Sequence, residues 1–381
     1  MKNSIFANKY IQIFLFNWRT AILNPILTVI LSLLVFEFLI FIHEFGHYIT
    51  ARIFKVTITE FSLGFGPDLI TYESKKTGIK YKLSMLPLGG FVAMAGEDEE
   101  SDDPNAFNKK PAWQRFIITA AGATVNIVAG FLAMIIIVCF INIGNTTYGA
   151  PMEDDYIKNE LGYTDVDTTH RSTDAGLQYG DEIIEVNGKK VRIYDELSYQ
   201  IMRYGNEPID LTVIRDGKEM TLYDVSFPTV KQQGQTFGII DFKITGLKEK
   251  SFFSVFSLSF RKSALVMRMC WESIIDLITG RYTFEAVSGP VGISSAIGDA
   301  ATAGILPLLN ITVLISMNLG FMNLIPFPAL DGGRLITILI EMITRKKIPP
   351  KIEGIINGAG LAILFVFMII VLLKDTISLI F

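Results

Sequence analysis

The sequence predicts a membrane α-helical protein with four transmembrane helices, a membrane-associated β-hairpin loop after the first, and an extracytoplasmic α+β domain inserted between the second and third. Three observations predict it. Four apolar runs, at 22–42, 116–143, 303–324 and 352–373, are each long enough for a helix to cross a hydrocarbon core, which takes about 20 residues. Lys and Arg crowd the flanks of two connections and are absent from 282–302, the approach to the third run. The long stretch between the second and third runs replaces helical periodicity with apolar alternation and Gly-bearing turns. Half of the 381 residues are apolar and only 19% are charged, which excludes an ordinary soluble domain.

Residues 1–21 form an N-terminal segment, expected outside the cytoplasm. The first helix, 22–50, runs into ionisable chemistry at His43 and Glu44 with no small-residue cleavage site behind it, so it is expected to be retained. Residues 51–115 are a cytoplasmic-side loop bracketed by Arg52, Lys55, Lys109, Lys110 and Arg115. Within it Val56, Ile58, Phe61, Leu63 and Phe65 face Ile79, Tyr81, Leu83 and Met85 across a Lys-Lys-Thr-Gly turn at 75–78, a β-hairpin. It closes on Leu86-Pro-Leu-Gly-Gly-Phe-Val92, with glycines where backbone must come close to something. The acidic run 97–103 reads as a solvated loop.

The second helix, 116–143, leads to an extracytoplasmic region, 144–250, with its core at about 165–230. There Asp174 to Gly188 carries a turn, a buried strand and a second turn. A helix follows near 195–204, then strands at 209–215 and 220–225 joined by Asp216-Gly217. Over 252–278, Arg261, Lys262, Arg268, Glu272 and Asp276 are too many charges for a span, and 251–302 is expected to be an interfacial amphipathic helix with a connector. The third helix and its end occupy 303–333, a cytoplasmic loop with Arg334, Arg345, Lys346, Lys347 and Lys351 occupies 334–351, and the fourth helix and tail occupy 352–373 and 374–381. Positive flanks stay inside, so both termini and the inserted region fall outside. Asn310 and Asn318 either bond neighbouring helices together or serve substrate, and Gly354-x-x-x-Gly358 is expected to let helices pack closely.

A net charge of −4 without aromatic-basic interleaving excludes a nucleic-acid partner. Two cysteines, Cys139 and Cys270, cannot build a disulfide framework or a thiolate metal cluster, and His170 has no ligand spacing around it.

The chemistry concentrates at His43-Glu-Phe-Gly-His47. Two imidazoles at i and i+4 on a helix leave one face together, as a shared zinc requires, and they are two of only three histidines in the chain. Ionisable groups at the end of a membrane span are costly unless paired or metal-bound. A catalytic zinc takes three protein ligands and keeps one position open, so a third partner must come from elsewhere. Asp331 is the best candidate. It follows Asn323-Leu-Ile-Pro-Phe-Pro-Ala-Leu, where Pro326 and Pro328 break the third helix near membrane depth and are expected to extend the backbone. Read alone, Asp-Gly-Gly is an ordinary turn. The charge distribution puts it on the membrane face of His43 and His47.

With these residues in view, the chain resembles a site-2 protease of the bacterial regulator-of-sigma-factor type carrying one PDZ domain, a likeness that covers nearly the whole sequence. It rests on His43-Glu-x-x-His47, Phe61 to Gly66, Pro87-Leu-Gly-Gly90, Gly122-x-x-x-Asn126, the PDZ-like Asp174 to Gly188, Gly289-Pro-Val-Gly292 and Asn323-x-x-Pro-x-Pro-x-Leu-Asp331-Gly. The resemblance implies one Zn2+ per chain held by His43, His47 and Asp331, and hydrolysis through Glu44. It implies supporting roles around substrate for Asn126, Asn323, Pro326 and Pro328, and a hairpin dipping into the membrane. It further implies a multi-pass protein of the bacterial plasma membrane, acting near the cytoplasmic side on single-span proteins within the bilayer after another protease has trimmed them. Ala123 departs from the pattern, which commonly has proline there.

Zinc brings a bound water's pKa to about 7, and Glu44 is placed to take its proton. An unwound substrate segment is expected to add as a strand to the hairpin edge at 79–85, through Ile79, Tyr81 and Leu83. Glu37, two turns before Glu44, is unexpected in an apolar helix. Either it faces the approach to the metal or an Asn of another span, or it is a protonated carboxyl of little consequence. The PDZ region either filters substrates by the size of their outer domains, the favoured reading, or reads cut C-termini. Two rival classes are a non-catalytic membrane scaffold binding partners through that region, and a metal transporter, which would need further intramembrane ligands.

Overall fold

Helix α1 (Pro25–Ile53) is built almost wholly from Leu, Ile, Phe and Val. Leu34 and Phe38 stay exposed along it, as side chains that meet lipid should. This is a computed structural model that describes residues 25–380 apart from 98, 161–164 and 233; the expected segment 1–21 and the first residues of the first span lie outside the described residues. The chain divides into two units, one made of the residues up to Ala133 together with Ser288 onward, the other of Met134–Val287.

In the first unit, strands β1 (Ile58–Glu73) and β2 (Lys80–Met94) follow α1, joined through the expected turn, where Gly78 has φ +70° and Ser74 O accepts from Gly78 N at 2.8 Å. They are more folded than one hairpin. Phe61 is flanked by Val92 on one side and Tyr81 on the other, and Tyr81 by Tyr72 in turn, so the segments lie in the order 68–73, 80–84, 60–63, 90–94. Ile58, Phe61, Ile79 and Val92 are buried there with Ala51 of α1. Helix α2 (Ala112–Phe140) follows, unbroken through Ala123.

The second unit begins within α2. Its main sheet has the order β11-β3-β5-β7-β8, where β3 is Ile143–Pro151, β5 Glu182–Val186, β7 Ile209–Arg215, β8 Lys218–Val225 and β11 Phe242–Lys248, with β6 (Lys189–Lys190) paired to β5. Strands β4 (Val166–Asp167), β9 (Thr229–Gln232) and β10 (Gln235–Gly238) form a smaller sheet. Asn187-Gly188 and Asp216-Gly217 all have positive φ, the two-residue turns that match strand twist. Helix α3 (Tyr194–Tyr204) buries Leu197 and Ile201 against Ile183, Val186, Leu211 and Val213. The expected 165–230 core therefore lacks one side of the sheet: β3 and β11 lie outside those bounds, and 141–143 are not helical.

Helix α4 (Phe252–Ile278) occupies the expected interfacial stretch. A reciprocal cap starts it, Ser251 Oγ accepting from Ser254 N and Ser254 Oγ from Ser251 N. Its polar face is tied to α3: Arg203 reaches Glu272 and Asp276, each at 2.7 Å, and Lys262 reaches Asp195 at 2.6 Å. Phe252, Phe253, Phe260, Trp271 and Ile278 are left exposed.

Back in the first unit, the expected connector and third span are two helices, α5 (Pro290–Ala303) and α6 (Ile305–Asn323), parted at Gly304 with φ +126°. The expected loop from 334 is mostly helical, since α7 runs Asp331–Thr344 before α8 (Pro350–Ile380). Among the described residues, four helices are long and apolar enough to cross a membrane: α1, α2, α6 and α8. The glycine pair in α8 does not mediate packing, because a Cβ at Gly354 or Gly358 would meet nothing within 4 Å. Gly360 is the close approach, with Pro328 Cβ 2.5 Å from its Cβ position. Asn310 and Asn318 are exposed on α6.

Candidate metal centre

His43 and His47 leave the same face of α1, and their Nε2 atoms lie 3.3 Å apart. Asp331 Oδ2 lies 3.2 Å from the first and 3.4 Å from the second. Tetrahedral ligands at zinc bond lengths of about 2.0–2.1 Å sit about 3.3 Å from one another, so the three atoms fit one ion. Asp331 Oδ2 is moreover buried without a hydrogen-bond donor. These three form the one group of metal-ligating spacing among the described residues.

Local structure fixes each ligand. His47 Nδ1 lies 2.8 Å from the carbonyl of Ile118, which can only accept, so Nδ1 carries the proton and Nε2 keeps its lone pair for a metal. Gly122 of α2 makes room, because a Cβ there would stand 2.3 Å from His47 Nε2 and 2.8 Å from His43 Nε2. Gly46 allows the same crossing from the α1 side, its Cβ position being 2.6 Å from the Ala121 carbonyl. Asp331 is the first residue of α7. The segment before it is a tight turn rather than the expected extended backbone: Phe327 N donates to Ile325 O at 2.7 Å, Leu330 N to Phe327 O at 3.2 Å, and Ala329 has φ +72°. Pro326 and Pro328 end α6 and permit that turn, and Gly332 packs so tightly on it that a Cβ would lie 2.0 Å from Ile325 O.

Glu44 lies between the two histidines in sequence and faces β2, where it meets the Val92 amide and the backbone at Gly90. Asn126 lies one turn beyond Gly122 on α2. It is completely buried, and neither atom of its amide has a hydrogen-bond partner, while Ser316 Oγ of α6 donates to its carbonyl at 2.9 Å. Asn323 is half-buried at the last residue of α6.

The hairpin residues are placed differently from expectation. Ile79 is 1% exposed, inside the apolar cluster, and 80–84 has strand partners on both sides, so Tyr81 and Leu83 do not form an open edge. The segment beside Glu44 is 86–92 of β2. Tyr81 instead bonds Tyr48 of α1 at 2.8 Å between hydroxyls. Two further contacts escaped the sequence. Glu97, from the run read as solvated, pairs with Arg334 of α7, and Arg115 pairs with Glu341 at 2.6 Å. Opposite charges far apart in a chain carry no spacing signal, and Arg334 and Arg115 stood out only as flanking cations.

Comparison with known proteins agrees with this geometry. Residues 31–367 match peptidase family M50. A Clostridium perfringens protein provisionally named a zinc metalloprotease is 32% identical, over 92% of this chain and 98% of its own length. Zinc metalloprotease RasP of Geobacillus kaustophilus is 29% identical, over 91% and 97%. The zinc-spaced triad, two of whose members lie on a helix long and apolar enough to cross a membrane, and a family match over most of the sequence lead to one conclusion: this chain is a zinc metalloprotease of peptidase family M50, the site-2 proteases, and a bacterial membrane protein.

Proposed function

We propose that this enzyme hydrolyses peptide bonds within the transmembrane segments of single-span membrane proteins. The observation that carries the reading is that His43, Glu44 and His47 lie on α1, a helix that is apolar over its length and long enough to span a bilayer. When bound by His43, His47 and Asp331, zinc supplies electrophilic activation of water and of the peptide carbonyl. Glu44 takes the proton from the attacking water and returns it to the leaving nitrogen. Asn126, buried and unpartnered, offers an amide to the reacting peptide, and Asn323 and the turn at Pro326 and Pro328 line the approach. An unwound substrate segment adds as a strand along 86–92, where its amides and carbonyls exchange helical partners for those of β2.

In this reading the metal lies towards the cytoplasmic side, with both termini and the Met134–Val287 unit outside, because Lys and Arg cluster on the two inner connections. That unit acts as a PDZ-type size filter, excluding substrates with bulky outer domains. Its support is that β10 packs on the last turn of α3, where the Cβ position of Gly238 is 2.4 Å from Ile201 O, so that end of the helix is already covered by the chain itself. Helix α4 lies in the lipid interface on its exposed Phe and Trp side chains. Substrates in this class include trimmed anti-sigma factors and signal-peptide remnants.

The test uses purified wild type and Glu44→Gln, reconstituted with a single-span model substrate, with zinc measured in both. Wild type should cut inside the span and Glu44→Gln should hold zinc yet be silent. Cuts confined to extramembrane segments would overturn the reading.

A further inference from the structure

Glu37 does not face the metal or an asparagine of another helix. Its carboxyl, with both oxygens buried and neither hydrogen-bonded, faces the backbone N–H groups of Gly64 and Gly89. These two glycines lie where the ladder breaks. Pairing passes from Leu63 with Gly90 directly to Phe65 with Leu86, so Gly64 stands opposite three residues, 87–89, and the N–H groups of Gly64, Leu88 and Gly89 leave the register, Pro87 having none. Both glycines have positive φ, +79° and +102°. Side chains could not replace them: a Cβ would lie 2.5 Å from Leu86 O at Gly64 and 2.1 Å from the Phe65 ring at Gly89. An amide released from a ladder at membrane depth has no water to bond and needs a protein acceptor.

We infer that Glu37 is a positioning residue: its carboxyl supplies the acceptor for the amides freed at the Gly64–Gly89 break, and so fixes the 86–92 segment at a set height along α1. Glu44 lies two turns further on the same helix, about 10.5 Å away, and meets the same segment at Gly90 and Val92. A strand pinned at Glu37 therefore presents a substrate to Glu44 in one register. A one-residue slip would carry the neighbouring peptide bond to the metal and turn every substrate side chain over. This inference rests on the proposed cleavage at Glu44, and its test includes a readout that needs no cleavage.

Glu37→Leu, Glu37→Gln and Glu37→Asp are compared with wild type in nanodiscs by hydrogen exchange without substrate, and by mass spectrometry of the products from a single-span model substrate. Glu37→Leu should speed exchange at least tenfold in peptides covering 60–66 and 86–92 while zinc content stays at the wild-type level. Its cuts should scatter over adjacent bonds, a change that mere loss of folded enzyme cannot produce. Glu37→Gln, which keeps an acceptor oxygen at the same reach, should restore both properties. Glu37→Asp, one methylene short, should shift both towards Glu37→Leu, and this contrast decides if Glu37→Leu does not fold. Wild-type exchange in Glu37→Leu, or Glu37→Gln as disturbed as Glu37→Leu, overturns the inference. An uncut span in wild type would overturn the cleavage reading alone, leaving exchange to decide the role of Glu37.

Discussion

Gly122 stands directly behind the two imidazoles, with its Cβ position 2.3 Å from His47 Nε2 and 2.8 Å from His43 Nε2. The volume a methyl group would fill is the volume the ligand atoms need. Gly122→Ala should turn the rings away and weaken zinc binding at least ~10-fold, as loss of ligand orientation does elsewhere. Metal analysis after dialysis against a competing chelator reads this; a full zinc complement would show that the rings tolerate the methyl group.

Asn126 gives a prediction in which stability and activity part company. A buried amide without partners costs a fold about 1–3 kcal/mol, and Asn126 has no partner for either atom. Asn126→Leu should thus leave thermal stability unchanged or raised while activity falls by about 10²-fold, the effect of removing one oriented donor. A melting curve beside a turnover assay tests both. A large drop in melting temperature would mean that the amide serves the fold.

The buried Arg203 joins α3 to α4 through ion pairs with the buried Asp276 and the half-buried Glu272, and removing one member of a buried pair costs about 3–5 kcal/mol. Arg203→Ala should accelerate hydrogen exchange in α4 and α3. The pairing has a pH signature. Burial would raise the Glu272 carboxyl, but Tyr199, Arg268 and Arg203 outweigh it and lower its pKa. A carboxyl lowered in the folded state stabilises above its unfolded pKa and loses that contribution as pH falls through the folded value. Exchange in α4 should therefore be slow at neutral pH and rise in the acid range beyond the intrinsic rate change. Arg203→Ala should show a smaller rise, because Tyr199 and Arg268 still hold the Glu272 carboxyl down.

Gly360 and the Gly354/Gly358 pair separate by the same substitution. Alanine at Gly354 or Gly358 meets open space, so zinc binding and turnover should stay within about twofold, helix propensity changing by only about 0.5–1 kcal/mol. At Gly360 a methyl group would strike Pro328 at 2.5 Å, and the turn that delivers Asp331 would have to shift. Gly360→Ala should lower zinc affinity and turnover together, read by metal titration and cleavage assay. Equal behaviour of all three variants would detach Gly360 from the metal centre.

The cluster that could hold the metal was legible in the sequence because helix periodicity alone brings His43 and His47 to one face, and because a proline-broken apolar run ending in Asp331 needs a reason. Turns governed by backbone handedness, at Gly78, Asn187-Gly188 and Asp216-Gly217, were legible for the same local cause. What depends on distant partners was not. The alternation at Ile79, Tyr81 and Leu83 reads equally well as an edge or a central strand, and the break opposite Gly64 decides between them. Residues 141–143 look like the tail of a span, yet they turn into β3 because β11 lies a hundred residues downstream. Gly354 and Gly358 have the spacing of a packing motif, but spacing does not say whether a neighbour exists.

The inserted unit separates His47 from Asp331 in the chain, so the ribosome releases both imidazoles long before the carboxylate. A nascent or prematurely terminated product holds only two of the three donors, too few for a stable catalytic ion. With the proposed ligand set, hydrolysis waits until translation has reached Asp331, the first residue of α7.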